Sequence, residues 1–108
     1  MAEIQQITAH ELAQRLAAGD DVQLLDVRED WEYAFNRIPG SRLCPMSRLP
    51  EWAATLDPSQ EYILYCHHGI RSMHACAYLQ SRGFTRLVNL IGGIDAWSRE
   101  VDPSVPLY

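Results

Sequence analysis

The sequence predicts one α/β domain over residues 1–108, an open and mostly parallel sheet of about four to five strands with helices on both faces. Three observations predict it. Short apolar runs alternate with helical segments in units of about 20–30 residues, the spacing of strand–helix–strand crossovers. Residues 22–27 and Tyr62–Tyr65 are apolar with little alternation, as strands covered on both faces require. The chain has 108 residues, of which 47% are hydrophobic and 21% charged, enough for one core with no linker or repeat dividing it.

Composition narrows the function. All nine basic residues are arginine, which excludes Schiff-base and P-loop lysines. The net charge of −5 is spread without long runs, so no positive footprint for nucleic acid exists. No apolar stretch approaches the roughly 20 residues of a membrane span. The N-terminal MAEIQQIT lacks the basic and apolar regions of a signal peptide. Three cysteines, Cys44, Cys66 and Cys76, form an odd set without CxxC spacing. A disulfide framework is not expected, and a reducing cytoplasm is the natural compartment.

The elements follow in order. Thr8 and Glu11 form a capping box for a helix over 9–18 that turns Leu12, Ala13 and Leu16 inward and ends at Gly19. A strand over 22–27 carries Asp26 at its end. Asp30 is positioned to cap a short helix with Trp31, Tyr33, Ala34 and Phe35, stopped before Pro39-Gly40. Residues 42–44 suit a short strand, and Pro50 opens a helix containing Trp52 and Leu56. Tyr62–Tyr65 runs directly into Cys66. A helix over 72–82 presents Met73, Cys76 and Leu79 to the core and closes at Gly83. A strand over 85–90, a Gly92-Gly93 turn and a helix over 94–99 complete the core, and Pro103 and Pro106 keep the tail 101–108 from continuing it.

Ligands of such sheets bind beyond the carboxyl ends of the strands, and Asp26 and Cys66 both end there. The segment Cys66-His67-His68-Gly69-Ile70-Arg71-Ser72 must turn tightly from strand to helix, which Gly69 permits. Its N–H groups and those opening the helix are expected to turn toward the sulfur as an anion nest. Reactive thiols need this. A free thiol with pKa about 8.5 is about 3% ionised at pH 7, and one at about 6.5 is roughly 75% ionised, a difference of about 2.7 kcal/mol. A helix terminus supplies about 0.3–1 kcal/mol, whereas one charge-assisted amide bond supplies about 1.5–3. The nest therefore carries most of the activation, and a nucleophilic Cys66 is expected to be reachable by its donor.

The loop resembles the active-site loop of the rhodanese-like sulfurtransferases: Cys, two variable residues, Gly, one residue, Arg, then Ser or Thr. Leu25-Asp26-Val27-Arg28 with Trp31-Glu32-Tyr33 and Ile38-Pro39-Gly40-Ser41 resembles the family's N-terminal signature, and Gly92-Gly93-Ile94-Asp95-Ala96-Trp97 its C-terminal one. Val101-Asp102-Pro103-Ser104-Val105-Pro106 is similar to rhodanese domains fused to sulfur-carrier-activating enzymes. Asn36-Arg37 departs from the family's usual Gly-His, with small expected effect.

The resemblance implies a ping-pong sulfurtransferase. Cys66 takes the outer sulfur of a small sulfur-containing anion such as thiosulfate, becomes a persulfide, and passes that sulfur to cyanide, a thiol or a carrier protein. His67, His68, Gly69, Ile70, Arg71 and Ser72 form the persulfide-binding loop, and no cofactor or metal is implied. Arg71 adds positive potential and is expected to pair with Asp26 across the sheet rim, with Asp26 and Arg28 supporting the loop. Two other readings are a sulfur-relay or docking module with poor free turnover, and a phosphatase or arsenate reductase. Four residues separate Cys66 from Arg71, one fewer than in the family's phosphatase branch, which favours sulfur over an oxyanion.

The remaining residues have plainer readings. Cys76 suits a small buried hydrophobe, and Cys44 beside Pro45 carries no chemical signal and suits a structural or incidental role. His67 and His68 tune access and charge at the loop mouth; zinc held by them with Cys66, His74 and Cys76 would quench the nucleophile. Glu32 and Gly92-Gly93 are structural. Trp31, Trp52 and Trp97 suit core or edge packing.

Overall fold

The computed structural model describes residues 3–108, so the first two residues of the predicted domain and of the N-terminal segment lie outside the description. Strands β1 (Gln5–Ile7), β2 (Leu24–Asp26), β3 (Arg42–Leu43), β4 (Tyr62–Tyr65) and β5 (Leu87–Leu90) form one sheet in the order β1-β5-β4-β2-β3. All four pairings are parallel. The helices are α1 (Ala9–Ala17), α2 (Asp30–Phe35), α3 (Leu49–Ala53), α4 (Ile70–Ser81) and α5 (Gly93–Glu100), and a 3-10 turn (Met46–Arg48) precedes α3.

Adjacent residues along each strand face opposite sides of the sheet, so the apolar runs build two cores. Leu25, Leu64 and Leu87 meet Trp52, Cys76, Leu79 and Phe84 on the side of α3 and α4. Leu24, Ile63 and Val88 meet Leu12, Ile94 and Trp97 on the side of α1 and α5. This is the predicted parallel sheet with helices on both faces.

Particular elements differ from expectation. β1 was not foreseen: it is three residues long with two exposed, and only pairing with β5 makes it a strand. α4 begins at Ile70 rather than 72, because Gly69 takes the cap position at φ 103°. β5 starts at Leu87 rather than 85. The residue preceding α2 is Glu29 rather than Asp30, and the Glu29 N–H donates to Glu32 Oε1 at 3.0 Å. Leu16 is only partly inward, at 36% exposure. Trp52 and Trp97 are buried as expected, but Trp31 is 65% exposed and stands edge-on to Tyr108 at the rim.

The tail does not continue α5. Val105 buries against the α1–α5 core, and the Pro106 carbonyl accepts from Asn36 Nδ2 at 2.7 Å. This turns the chain back across the carboxyl ends of the strands.

Candidate active site

Cys66 follows β4, a strand flanked by β5 and β2, so its sulfur stands at the middle of the carboxyl rim. The chain then turns through Gly69 into α4. The Gly69 N–H lies 3.1 Å from Cys66 Sγ, the Ser72 N–H 3.4 Å and the Ser72 hydroxyl 3.5 Å. The expected nest is present, and its amide donors are Gly69 and Ser72.

The loop holds this shape because its carbonyls are drawn outward. The Ile94 N–H donates to the Cys66 carbonyl at 2.9 Å, and the Asp95 N–H to the His67 carbonyl at 3.1 Å. These N–H groups in the first turn of α5 have no partner within their own helix, and the loop supplies one. Gly93 makes the approach possible, since a Cβ there would overlap both carbonyl oxygens. The two glycine-bearing segments, around Gly69 and Gly92-Gly93, therefore work as one device.

Cys66 is only 1% exposed. A freely reachable sulfur was expected, and the loop instead closes over it. The other thiols are unreactive by environment: burial raises Cys44, and it pushes Cys76 up to about 12. All three cysteines are free.

The expected Arg71–Asp26 pair does not form. Arg71 Nη1 and Nη2 fork onto Glu32 Oε1 and Oε2, each at 2.8 Å. Asp26 is wholly buried and taken by Arg28, whose Nη2 lies 2.7 Å from Oδ2 and whose backbone N–H lies 3.0 Å from Oδ1. The reason is reach along the rim: Glu32 projects from the first turn of α2 toward Arg71, and Arg28 folds back onto Asp26 two residues earlier. Glu32 is more than the structural residue the sequence suggests: it is the partner of the loop arginine. Burial pushes the Glu32 carboxyl up, but Arg71, the Glu29 N–H and the Tyr108 hydroxyl outweigh this and hold it at about 2.

Arg28 is also fully buried. Its Nη1 donates to Asn36 Oδ1 at 2.7 Å and to Tyr108 Oη at 3.0 Å. Its Nη2 donates to the Asn36 carbonyl at 2.8 Å. Burial works against the Arg28 charge, and the bonds to Asp26 and Tyr108 more than restore it. Asn36, one of the two departures from the family pattern, thus joins Arg28 to the tail.

Tyr108 was missed in the sequence, where nothing local marks it. Its hydroxyl donates to Glu32 Oε2 at 2.5 Å, and its ring stacks on His67 at 4.0 Å and 10°. His68 stacks on the other imidazole neighbour, His67, at 3.9 Å. Burial, then the neighbouring His68, lowers His67 from the usual imidazole range and disfavours its charged form. Asn89 was missed as well; it is the single polar residue within β5, a signal the sequence carries.

One ligand atom each of His67, His68 and Asp95 lies within 4.8 Å of the others. The imidazole planes are 27° from parallel, so their in-plane lone pairs do not converge, and Asp95 Oδ2 already accepts from Arg99 Nε at 2.9 Å. Among the described residues the group contains neither Cys66 nor Cys76.

A parallel five-stranded sheet with a cysteine in an amide-lined loop at its carboxyl rim defines a class of protein. Residues 8–100 match the Rhodanese-like domain family model, and the chain belongs to that family. It is 39% identical over 102 residues to a sulfurtransferase of Allochromatium vinosum, covering 94% of this chain and 95% of that one. It is 35% identical over 97 residues to the adenylyltransferase and sulfurtransferase uba4 of Ogataea parapolymorpha, covering 88% of this chain and 25% of that one. The fold matches a rhodanese-like domain protein from Staphylococcus aureus with a TM-score of 0.83, at 32% identity and over 97% and 99% of the two chains.

Proposed function

We propose that the chain is a sulfurtransferase that carries sulfur as a Cys66 persulfide. The observation that carries this reading is the placement of the Gly69 and Ser72 N–H groups on Cys66 Sγ at 3.1 and 3.4 Å. The Cys66 thiolate attacks the outer sulfur of a small anion such as thiosulfate. The donor's S–S bond breaks, sulfite leaves with its electron pair, and Cys66 holds a new S–S bond. An acceptor thiol, cyanide or carrier protein then attacks the outer sulfur, and Sγ leaves as the thiolate. Both states are anionic, so the same amides stabilise each. The family relationship and the sulfurtransferase names of its relatives support sulfur transfer.

Arg71 favours sulfur over phosphate. Its fork is spent on Glu32, so it does not present two free N–H groups to a tetrahedral oxyanion in the loop. His67, His68 and Ile70 form the mouth, and Asp26 and Arg28 hold the rim beneath it.

The 1% exposure of Cys66 favours a second reading, a relay module whose loop opens to a partner protein and turns over free thiosulfate slowly. Such a partner would be a sulfur carrier or persulfide donor, and uba4, whose name joins sulfurtransferase to adenylyltransferase, supports that class. No described helix is long and apolar enough to cross a membrane. Free cysteines suit a cytoplasmic setting.

Mass spectrometry after thiosulfate incubation tests the proposal. A gain of about 32 Da, lost on cyanide and absent in Cys66→Ser but kept in Cys44→Ser and Cys76→Ser, is expected from the covalent intermediate. No gain with thiosulfate or with a protein persulfide donor overturns it. Ready loading with slow turnover selects the relay reading.

A further inference from the structure

Cys66 Sγ and Asn89 Oδ1 compete for one proton, that of the Ser72 hydroxyl. Ser72 Oγ lies 2.5 Å from Asn89 Oδ1 and 3.5 Å from Sγ. A hydroxyl has a single proton to give, and the shorter contact to a carbonyl oxygen is the stronger bond.

The Asn89 amide cannot turn over to relieve the competition. Its Nδ2 donates to the Gly69 carbonyl at 3.2 Å and to Gln6 Oε1 at 3.1 Å. A backbone carbonyl only accepts, so nitrogen must face Gly69 and oxygen must face Ser72. Asn89 is 3% exposed and Ser72 wholly buried, so a released Oδ1 would be left without water as a substitute partner. Asn89 sits in β5, beside β4, with Gln6 and Leu64 as its register partners, and this holds its side chain under the loop.

We infer that Asn89 is a positioning residue that withholds the Ser72 proton from Cys66, leaving the resting sulfur to the amides of Gly69 and Ser72. The sulfur then faces the hydroxyl's lone pairs. It is less stabilised than a full complement of donors would make it, and a less stabilised thiolate is the better nucleophile. The Asn89–Gly69 bond meanwhile pins the carbonyl side of the residue whose N–H gives the shortest contact to sulfur. The inference rests on Cys66 being the reacting thiol, as proposed above, and on no particular sulfur donor.

The test is the pH profile of iodoacetamide alkylation at Cys66, followed by peptide mapping so that Cys44 and Cys76 are counted separately. Asn89→Leu removes the acceptor at similar volume, and Sγ becomes the acceptor within reach of the freed hydroxyl. At pH 6.5 alkylation is expected to rise about three- to tenfold because more of the thiol is ionised, and the profile to move to lower pH. The high-pH plateau, set by the thiolate's own nucleophilicity, is expected to fall. In a Ser72→Ala background the same substitution is expected to change the rate by less than about twofold, because its route is gone. Asn89→Val, suited to a central strand, reads the same quantity should the leucine variant melt below the assay temperature. Asn89→Asp keeps an acceptor toward Ser72 and is expected to show no rise.

Unchanged or slower alkylation at pH 6.5 in Asn89→Leu or Asn89→Val overturns the inference, as does an equal rise with and without the Ser72 hydroxyl. An Asn89→Asp variant that accelerates overturns it too. Persulfide loading of the wild-type protein is measured alongside: intact loading with an additive cycle rejects Asn89 but leaves the sulfurtransferase reading standing, whereas absent loading rejects that reading whatever the cycle gives.

Discussion

Arg71 and Glu32 face each other as a two-point fork, both N–O distances 2.8 Å, and through it the loop bearing Cys66 is tied to the first turn of α2. Glu32 is almost buried while Arg71 keeps 38% of its side chain exposed. Removing the arginine strands a buried carboxylate. Arg71→Met is expected to cost about 1–3 kcal/mol, less than a fully buried pair because solvent already screens one partner. Urea unfolding measures it, and persulfide loading should fall in the same variant. A neutral result on both would remove Arg71 from the rim's architecture.

The Asp26–Arg28 pair is sealed on both sides. Arg28→Met strips the buried Asp26 of its ion-pair partner and is expected to cost about 3–5 kcal/mol. An Asp26→Asn, Arg28→Met double variant should recover part of that loss, which a double-mutant cycle in urea would quantify.

Acid should loosen the rim through Glu32. Its carboxyl sits at about 2 in the folded protein against 4.5 unperturbed, so the folded state binds fewer protons there. The stabilisation is complete above pH about 4.5 and is lost as the pH falls toward 2. Glu32→Gln should flatten the fall in stability between those limits. A variant with the wild-type acid slope would remove Glu32 as its source.

Gly93 and Gly83 separate a close approach from a mere turn. Both have positive φ, but a Cβ at Gly93 would overlap the carbonyls of Cys66 and His67, whereas one at Gly83 meets nothing within 4 Å. Gly83→Ala is expected to cost about 1–2 kcal/mol from backbone conformation. Gly93→Ala should cost more and should abolish persulfide loading even where the protein still folds, since the loop must retreat from α5.

Tyr108 joins the tail to the site by hydroxyl and ring at once. Tyr108→Phe keeps the ring on His67 and loses the bonds to Glu32 and Arg28, an expected cost of about 1–3 kcal/mol. Tyr108→Ala loses both, and alkylation of Cys66 should then accelerate if the His67 stack helps close the loop. Equal melting temperatures for wild type and both variants would show the tail to be energetically idle.

Much of this was legible beforehand. The two-faced apolar runs foretold a parallel sheet, and the Cys66–Ser72 spacing foretold a strand-to-helix turn with inward amides. Local chemistry determines both, because side-chain periodicity and glycine conformations act over a few residues. Partner choice was not legible. Asp26, Arg28, Glu32 and Arg71 offer more than one way to pair two acids with two arginines, and composition treats those ways alike.

By itself the sequence determined the strand–helix alternation, the cysteine at a strand's carboxyl end and the glycines that let the loop turn. Only the tertiary structure decided that Arg71 takes Glu32 rather than Asp26, that Asn89 contends for the Ser72 proton, that Tyr108 returns to the rim and that Cys66 lies covered. Those outcomes join residues up to 80 positions apart, as Arg28 and Tyr108 are. Their bonds are set by where packed strands and helices place the side chains, and burial, by removing water as a competing partner, makes each of those placements binding.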